Sequence, residues 1–173
     1  MTLWTWLGLD GPVVDEDSEG LAQIEQALAG LEPAQAHYIA CFAYILTRGA
    51  RADLQITDGE ARSMQRIVAE RGGIPPEQAS VVVDIARIQS LRSGGTDDFL
   101  VTRQFNAVAS HEQKVALLDC LFAVTASDES ILTVEDNEIR NIANELKIDH
   151  PEYIAIRSRH VKYLRALRER GRL

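Results

Sequence analysis

Four carboxylates carry what chemistry this chain could do. Asp53 and Glu60 are followed 75 positions later by Asp128 and Glu135, at the same mutual spacing. Each Asp falls among loop-forming residues, and each Glu stands one turn into the helix that follows. Hard divalent cations take several oxygen ligands at about 2.0–2.6 Å, so four converging carboxylates would suit calcium or magnesium. The same residues have local uses as well. A loop Asp accepts bonds from backbone amides and pins the turn, and a Glu at the third helical position closes a capping box. Structural pinning therefore stands beside metal binding at Asp53, Glu60, Asp128 and Glu135, with contact to a partner protein as a third use. The EF-hand order Asp-x-Asp-x-Asp-Gly is absent. A carboxylate pair working as a hydrolase is a further alternative. No nucleophile elbow, phosphate loop or Ser/His/Asp set occurs, so no catalytic residue is assigned.

The carboxylates sit inside a longer repeat. With Asp53 laid on Asp128, Leu46 meets Leu121, Ile56 meets Ile131, Met64 meets Ile139, Ile67 meets Ile142 and Glu70 meets Glu145 without a gap. Self-similarity at this period predicts two copies of one helix-loop-helix unit. The expected architecture is a single all-α domain of seven to eight helices. In it a pseudo-two-fold pair of hairpins carries the acidic loops.

The elements that must position the loops are legible from caps and periods. A first helix is expected over 19–29 behind Ser18, and a second from Pro33, with Ile39, Phe42, Ile45/Leu46 and Gly49 on one apolar face. Gly49 and nearby alanines keep that helix thin enough for close approach. Thr57 and Glu60 form a capping box for the third, which Gly72-Gly73 ends. Val81-Val82-Val83 has strand propensity. Its period continues through Ile85 and Leu91, so a helix is expected from Pro75-Pro76. Thr96 is the expected cap of a fifth, Ser110 and Gln113 box the sixth, and Thr133 with Asp136 opens the seventh. The period Ile156, His160, Leu164, Leu167 predicts a last helix running on from Glu152. Residues 1–17 read as an apolar and acidic extension, and 18–173 as the helical domain, with repeat units at about 33–92 and 110–170.

An Ala-Asp-x-x-Ile-x-x-x-Glu hairpin occurring as an ordered pair resembles the TerB family of tellurite-resistance-associated proteins. The matching stretches are Arg51 through Met64, Asp98 through Glu112, and Leu121 through Ile142. The same module resembles the N-terminal region of a membrane-anchored J-domain co-chaperone. The resemblance implies an all-helical fold, an acidic surface that binds a divalent cation, and a non-enzymatic part in stress response at the membrane or in protein complexes. Family members have Ala-Asp-Gly at the loop. Here Leu54 and Glu129 replace the glycine and Ser127 the second alanine, so both loops are expected to be reshaped.

Composition narrows the partners. The 173 residues carry a net charge of −8 and are 46% hydrophobic, enough for one domain with a core. The charge is divided. Residues 151–173 hold seven bases and two acids, which leaves eleven bases against twenty-four acids in the rest. An acidic body repels phosphates, so no nucleic-acid partner is expected. The basic end reads as a solvated helix face. Cys41 and Cys120 lie in apolar stretches and read as buried reduced thiols. Of the four histidines, His160 falls on an apolar stripe and reads as a core residue. Trp4 and Trp6 could make a peripheral membrane contact, although folding back on the core is the preferred reading. The N-terminal stretch has no basic region and too short an apolar run for a secretory signal, and no run is of spanning length. The expected location is the cytoplasm, with a protein as partner.

Overall fold

The computed structural model describes residues 15–50, 56–91 and 98–164. Among these are eight α-helices: α1 (Asp15–Ala29), α2 (Pro33–Gly49), α3 (Asp58–Arg71), α4 (Pro76–Leu91), α5 (Asp98–Val108), α6 (His111–Thr125), α7 (Thr133–Glu145) and α8 (His150–Ser158). Short 3-10 turns follow α6 at Ala126–Asp128 and α8 at Val161–Tyr163. The described residues contain no β-strand, only an isolated parallel bridge between Ile131 and Leu164.

Local signals set several boundaries. At α3 the Thr57 hydroxyl accepts the Glu60 N–H at 3.3 Å. At α6 the Ser110 hydroxyl accepts that of Gln113 at 3.2 Å, and Gln113 Oε1 returns the favour to the Ser110 N–H at 2.7 Å. Pro33 opens α2 and Gly73, at φ +65°, follows the end of α3. Val81–Val83 lies in α4, with Val82 and Val83 fully buried. Thr96 lies outside the described residues. α7 opens at Thr133 as expected, with Leu132 at its N-cap. Two expectations need correction. α1 begins at Asp15, four residues before the expected start. The last helix stops at Ser158 rather than continuing through Leu164.

The repeat register survives in the fold. α3 begins at Asp58 and α7 at Thr133, the same 75-residue offset, and α4 and α8 begin within one residue of it. Some equivalent residues share their environment, since Leu46 and Leu121 are both fully buried, as are Val68 and Ala143, whereas Ile56 and Ile67 are only partly buried where Ile131 and Ile142 are enclosed. The packing is reciprocal, because α2 lies on α7 of the other hairpin while α6 lies on α3, and α2 and α6 touch each other. That exchange is what a two-fold relation between hairpins requires.

The helix α2 is the centre. Between Tyr38 and Leu46 every residue is buried, so the single apolar face expected there is in fact apolar on all sides, as a fully enclosed helix must be. α4, α5, α6 and α7 all pack around it. Phe105 of α5 stacks on Tyr38 at 5.3 Å between centroids and meets Phe42 edge-on at 6.4 Å. Each such fully buried aromatic contributes about 1.5–3 kcal/mol. Gly49 lets α6 come close: a Cβ there would collide with the Leu121 side chain. Cys41 and Cys120 are free thiols within this core, and burial pushes both up to about 12.

Candidate functional site

Each acidic loop joins the first helix of a hairpin to the second. In the first, Glu60 Oε2 accepts the Thr57 N–H at 2.7 Å and the Thr57 hydroxyl proton at 2.7 Å. These bonds, the hydroxyl's first, hold the Glu60 carboxyl below its ordinary value. In the second loop, Glu135 Oε2 accepts the Leu132 N–H at 2.8 Å. Glu60 and Glu135 are repeat-equivalent, and so are Thr57 and Leu132. The two glutamates therefore do the same work, satisfying a backbone donor at a helix start that has no intrahelical partner. Leu132 has no side-chain acceptor to return the bond, so the second helix start is capped from one side.

The aspartates complete the expected set differently. Asp53 lies outside the described residues, as does Leu54. The backbone of Asp128 ends the 3-10 turn that leaves α6. Glu129 then turns the chain with φ +65°, in the left-handed region, and donates its N–H to Ala126 O at 2.9 Å. The loop keeps at Glu129 a backbone that glycine would adopt without strain. Next, the Ile131 N–H donates to Tyr163 O at 2.7 Å, and Ile131 and Leu164 are both 1% exposed. Among the described residues no three His, Cys, Asp or Glu side chains are grouped to hold a metal ion.

A family model, described as tellurite resistance protein TerB, matches residues 38–158. The chain belongs to the TerB family. The TerB match runs from α2 to the end of α8, so it takes in both hairpins and both capping glutamates. No curated protein and no solved structure matches the chain. No helix among the described residues is long and apolar enough to cross a membrane.

The buried charges of this TerB chain lie elsewhere, at the two reciprocal helix contacts. Arg48 of α2 is 7% exposed and reaches α7. Its Nε donates to Glu138 at 2.5 Å, and its two Nη atoms donate to Glu145 at 2.7 and 2.9 Å. Thr102 of α5 accepts a further bond from Arg48 Nη1 at 3.3 Å. On the other contact, Asp119 of α6 accepts from Arg71 of α3 at 3.0 Å. Its second oxygen meets His160 Nε2 at 3.0 Å. Burial opposes the charge on Asp119, but the bonds from His160 and Arg71 outweigh it and hold the carboxyl below its ordinary value. His160 is buried as expected and stacks on Phe122 at 5.5 Å. A third pair, Arg157 on Asp136 at 2.6 and 2.9 Å, ties α8 to α7. The available signal was a lone charge inside an apolar run, which Asp119 is; Arg48, at the end of its apolar run and three residues before Arg51, carried no such mark.

Proposed function

We propose that this TerB-family chain is a non-enzymatic protein-interaction module of a tellurite-resistance-type stress response, with acidic loops kept in shape by structural carboxylates. One observation carries the reading. Glu60 and Glu135 each commit Oε2 to the backbone N–H three residues earlier, at equivalent places in the two hairpins. That is a scaffolding use of residues whose spacing also suits a cation. Family membership supports the stress link, and the acidic body supports a basic protein surface as partner.

Calcium and magnesium titrations followed by calorimetry and thermal melting test it. A ligand bound only by the folded state raises its melting temperature by mass action. The interaction reading expects neither heat nor a shift at millimolar cation. A saturable heat that Asp53→Asn with Asp128→Asn abolishes would sink it and install a divalent-cation site at Asp53, Glu60, Asp128 and Glu135. The Asn variants retain shape while removing charge, so they separate a ligand from a structural pin. Metal-dependent turnover in a hydrolase screen would overturn the non-enzymatic assignment.

A further inference from the structure

Residues 152–170 contain neither glycine nor proline, and Ile156, His160, Leu164 and Leu167 keep a helical period through them. Arg159, Lys162 and Leu164 are good helix formers and His160, Val161 and Tyr163 weaker ones, none of them a helix breaker. Yet α8 stops at Ser158, and residues 159–164 fold into two tight turns, with His160 N–H on Arg157 O at 3.0 Å and Tyr163 N–H on His160 O at 3.0 Å. The contacts that hold this shape are tertiary. At one end His160 bonds Asp119 and stacks on Phe122, both on α6, while Arg159 Nη1 lies 3.6 Å from the same carboxylate. At the other end Leu164 forms the bridge with Ile131, and Tyr163 O takes the Ile131 N–H. Local preference and tertiary contact thus pull this segment toward different conformations.

We propose that Arg159–Leu164 is a two-state strap that governs the second acidic loop. Latched, it clamps the loop at Ile131. Released, it continues α8 as helix through residue 164, and the Ile131 N–H and side chain lose their cover. The Asp119–His160 bond is the latch, because it sits at the point where the helix is interrupted. A partner that binds the freed loop more tightly than the clamped one shifts the population toward release.

Native-state hydrogen exchange on the whole chain tests the strap. In the wild type, the Ile131 amide should exchange through a local opening whose urea dependence is smaller than that of amides in the middle of α2. His160→Leu retains bulk, raises helix propensity and removes the latch. It should speed exchange at Ile131 about tenfold or more relative to the α2 amides, the scale expected for losing a bond to a charged group. Far-UV ellipticity should stay level or deepen as the strap becomes helix. Three results would overturn the proposal: Ile131 exchanging only with global unfolding in the wild type, both sets of amides accelerating equally in the variant, or helicity falling. The wild-type measurement stands alone if His160→Leu does not fold.

Discussion

Arg48 and Glu145, 97 positions apart, meet as a planar fork, Nη1 on Oε2 at 2.7 Å and Nη2 on Oε1 at 2.9 Å. The pair clamps α2 of one hairpin to α7 of the other. Burial opposes the Arg48 charge, and the bonds from Glu145 and Glu138 outweigh it, so the guanidinium is held above its ordinary value. Removing one partner of a buried pair leaves the others desolvated and uncompensated. Arg48→Ala is expected to cost about 3 kcal/mol in denaturant unfolding. Arg48→Lys should lose part of that, since an ammonium cannot reproduce the fork. An Arg48→Ala protein as stable as wild type would show that the clamp contributes nothing.

Acid should loosen both cross-hairpin contacts. At Glu145, as at Asp119, burial opposes the charge, and the bonds from Arg48 and Thr102 outweigh it, so the carboxyl lies below its ordinary value. A depressed carboxylate contributes stability that is present above the unfolded value, about 3.9 for Asp and 4.3 for Glu. The contribution is lost as pH falls through the lower folded value. Stability measured from pH 5 downward should therefore drop below about pH 4. Asp119→Asn and Glu145→Gln should each flatten that limb, and an unchanged acid limb in both would contradict the assignment.

Thr57 and Glu60 hold the start of α3 by a closed box of hydrogen bonds. Thr57→Ala should cost about 1 kcal/mol, the usual loss for an N-cap hydroxyl. The equivalent Leu132 offers no such hydroxyl, so Leu132→Thr should gain part of that amount at α7. Thermal melts of the two variants, moving in opposite directions, are the check.

Close approach at Gly49 can be read in the same way. Gly49→Ala improves helix propensity by about 1 kcal/mol. It also drives a methyl into Leu121, which is fully buried, and to 3.6 Å from Ile142 Cδ1. Overpacking costs about 1–3 kcal/mol, so a net loss of roughly 1 kcal/mol is expected. A net gain would mean that Leu121 has room to move.

Lys147 closes α7 in the left-handed region at φ +59°, with its N–H on Asn144 O at 3.0 Å and the Ile148 N–H on Ala143 O at 3.0 Å. This is a Schellman end in which glycine is the favoured residue. Lys147→Gly should raise stability by about 1 kcal/mol, from relief of the Cβ clash. A lower melting temperature would show that the side chain contributes more than the strain it causes.

Much of the fold was legible because its signals are local. The boxes at Thr57 and Ser110 join residues three apart, and helical periods are written every three to four residues. The 75-residue repeat, visible from Asp53 and Asp128, carried directly into helices that begin at Asp58 and Thr133. The candidate carboxylates were legible as a pattern, but what Glu60 and Glu135 do with their oxygens depended on the backbone of the loop before each helix. Other features had no local mark at all. Whether α2 shows one apolar face or is enclosed depends on how many helices surround it. Arg48 could not choose Glu145 until α2 lay on α7, and α8 ended at Ser158 because Asp119 and Ile131, both distant in the chain, outweighed a helical period that runs on. Sequence by itself determined what each segment prefers within about one turn; only tertiary packing, which brings residues 21 to 97 positions apart into contact, decided which charges are paired and where that preference is overruled.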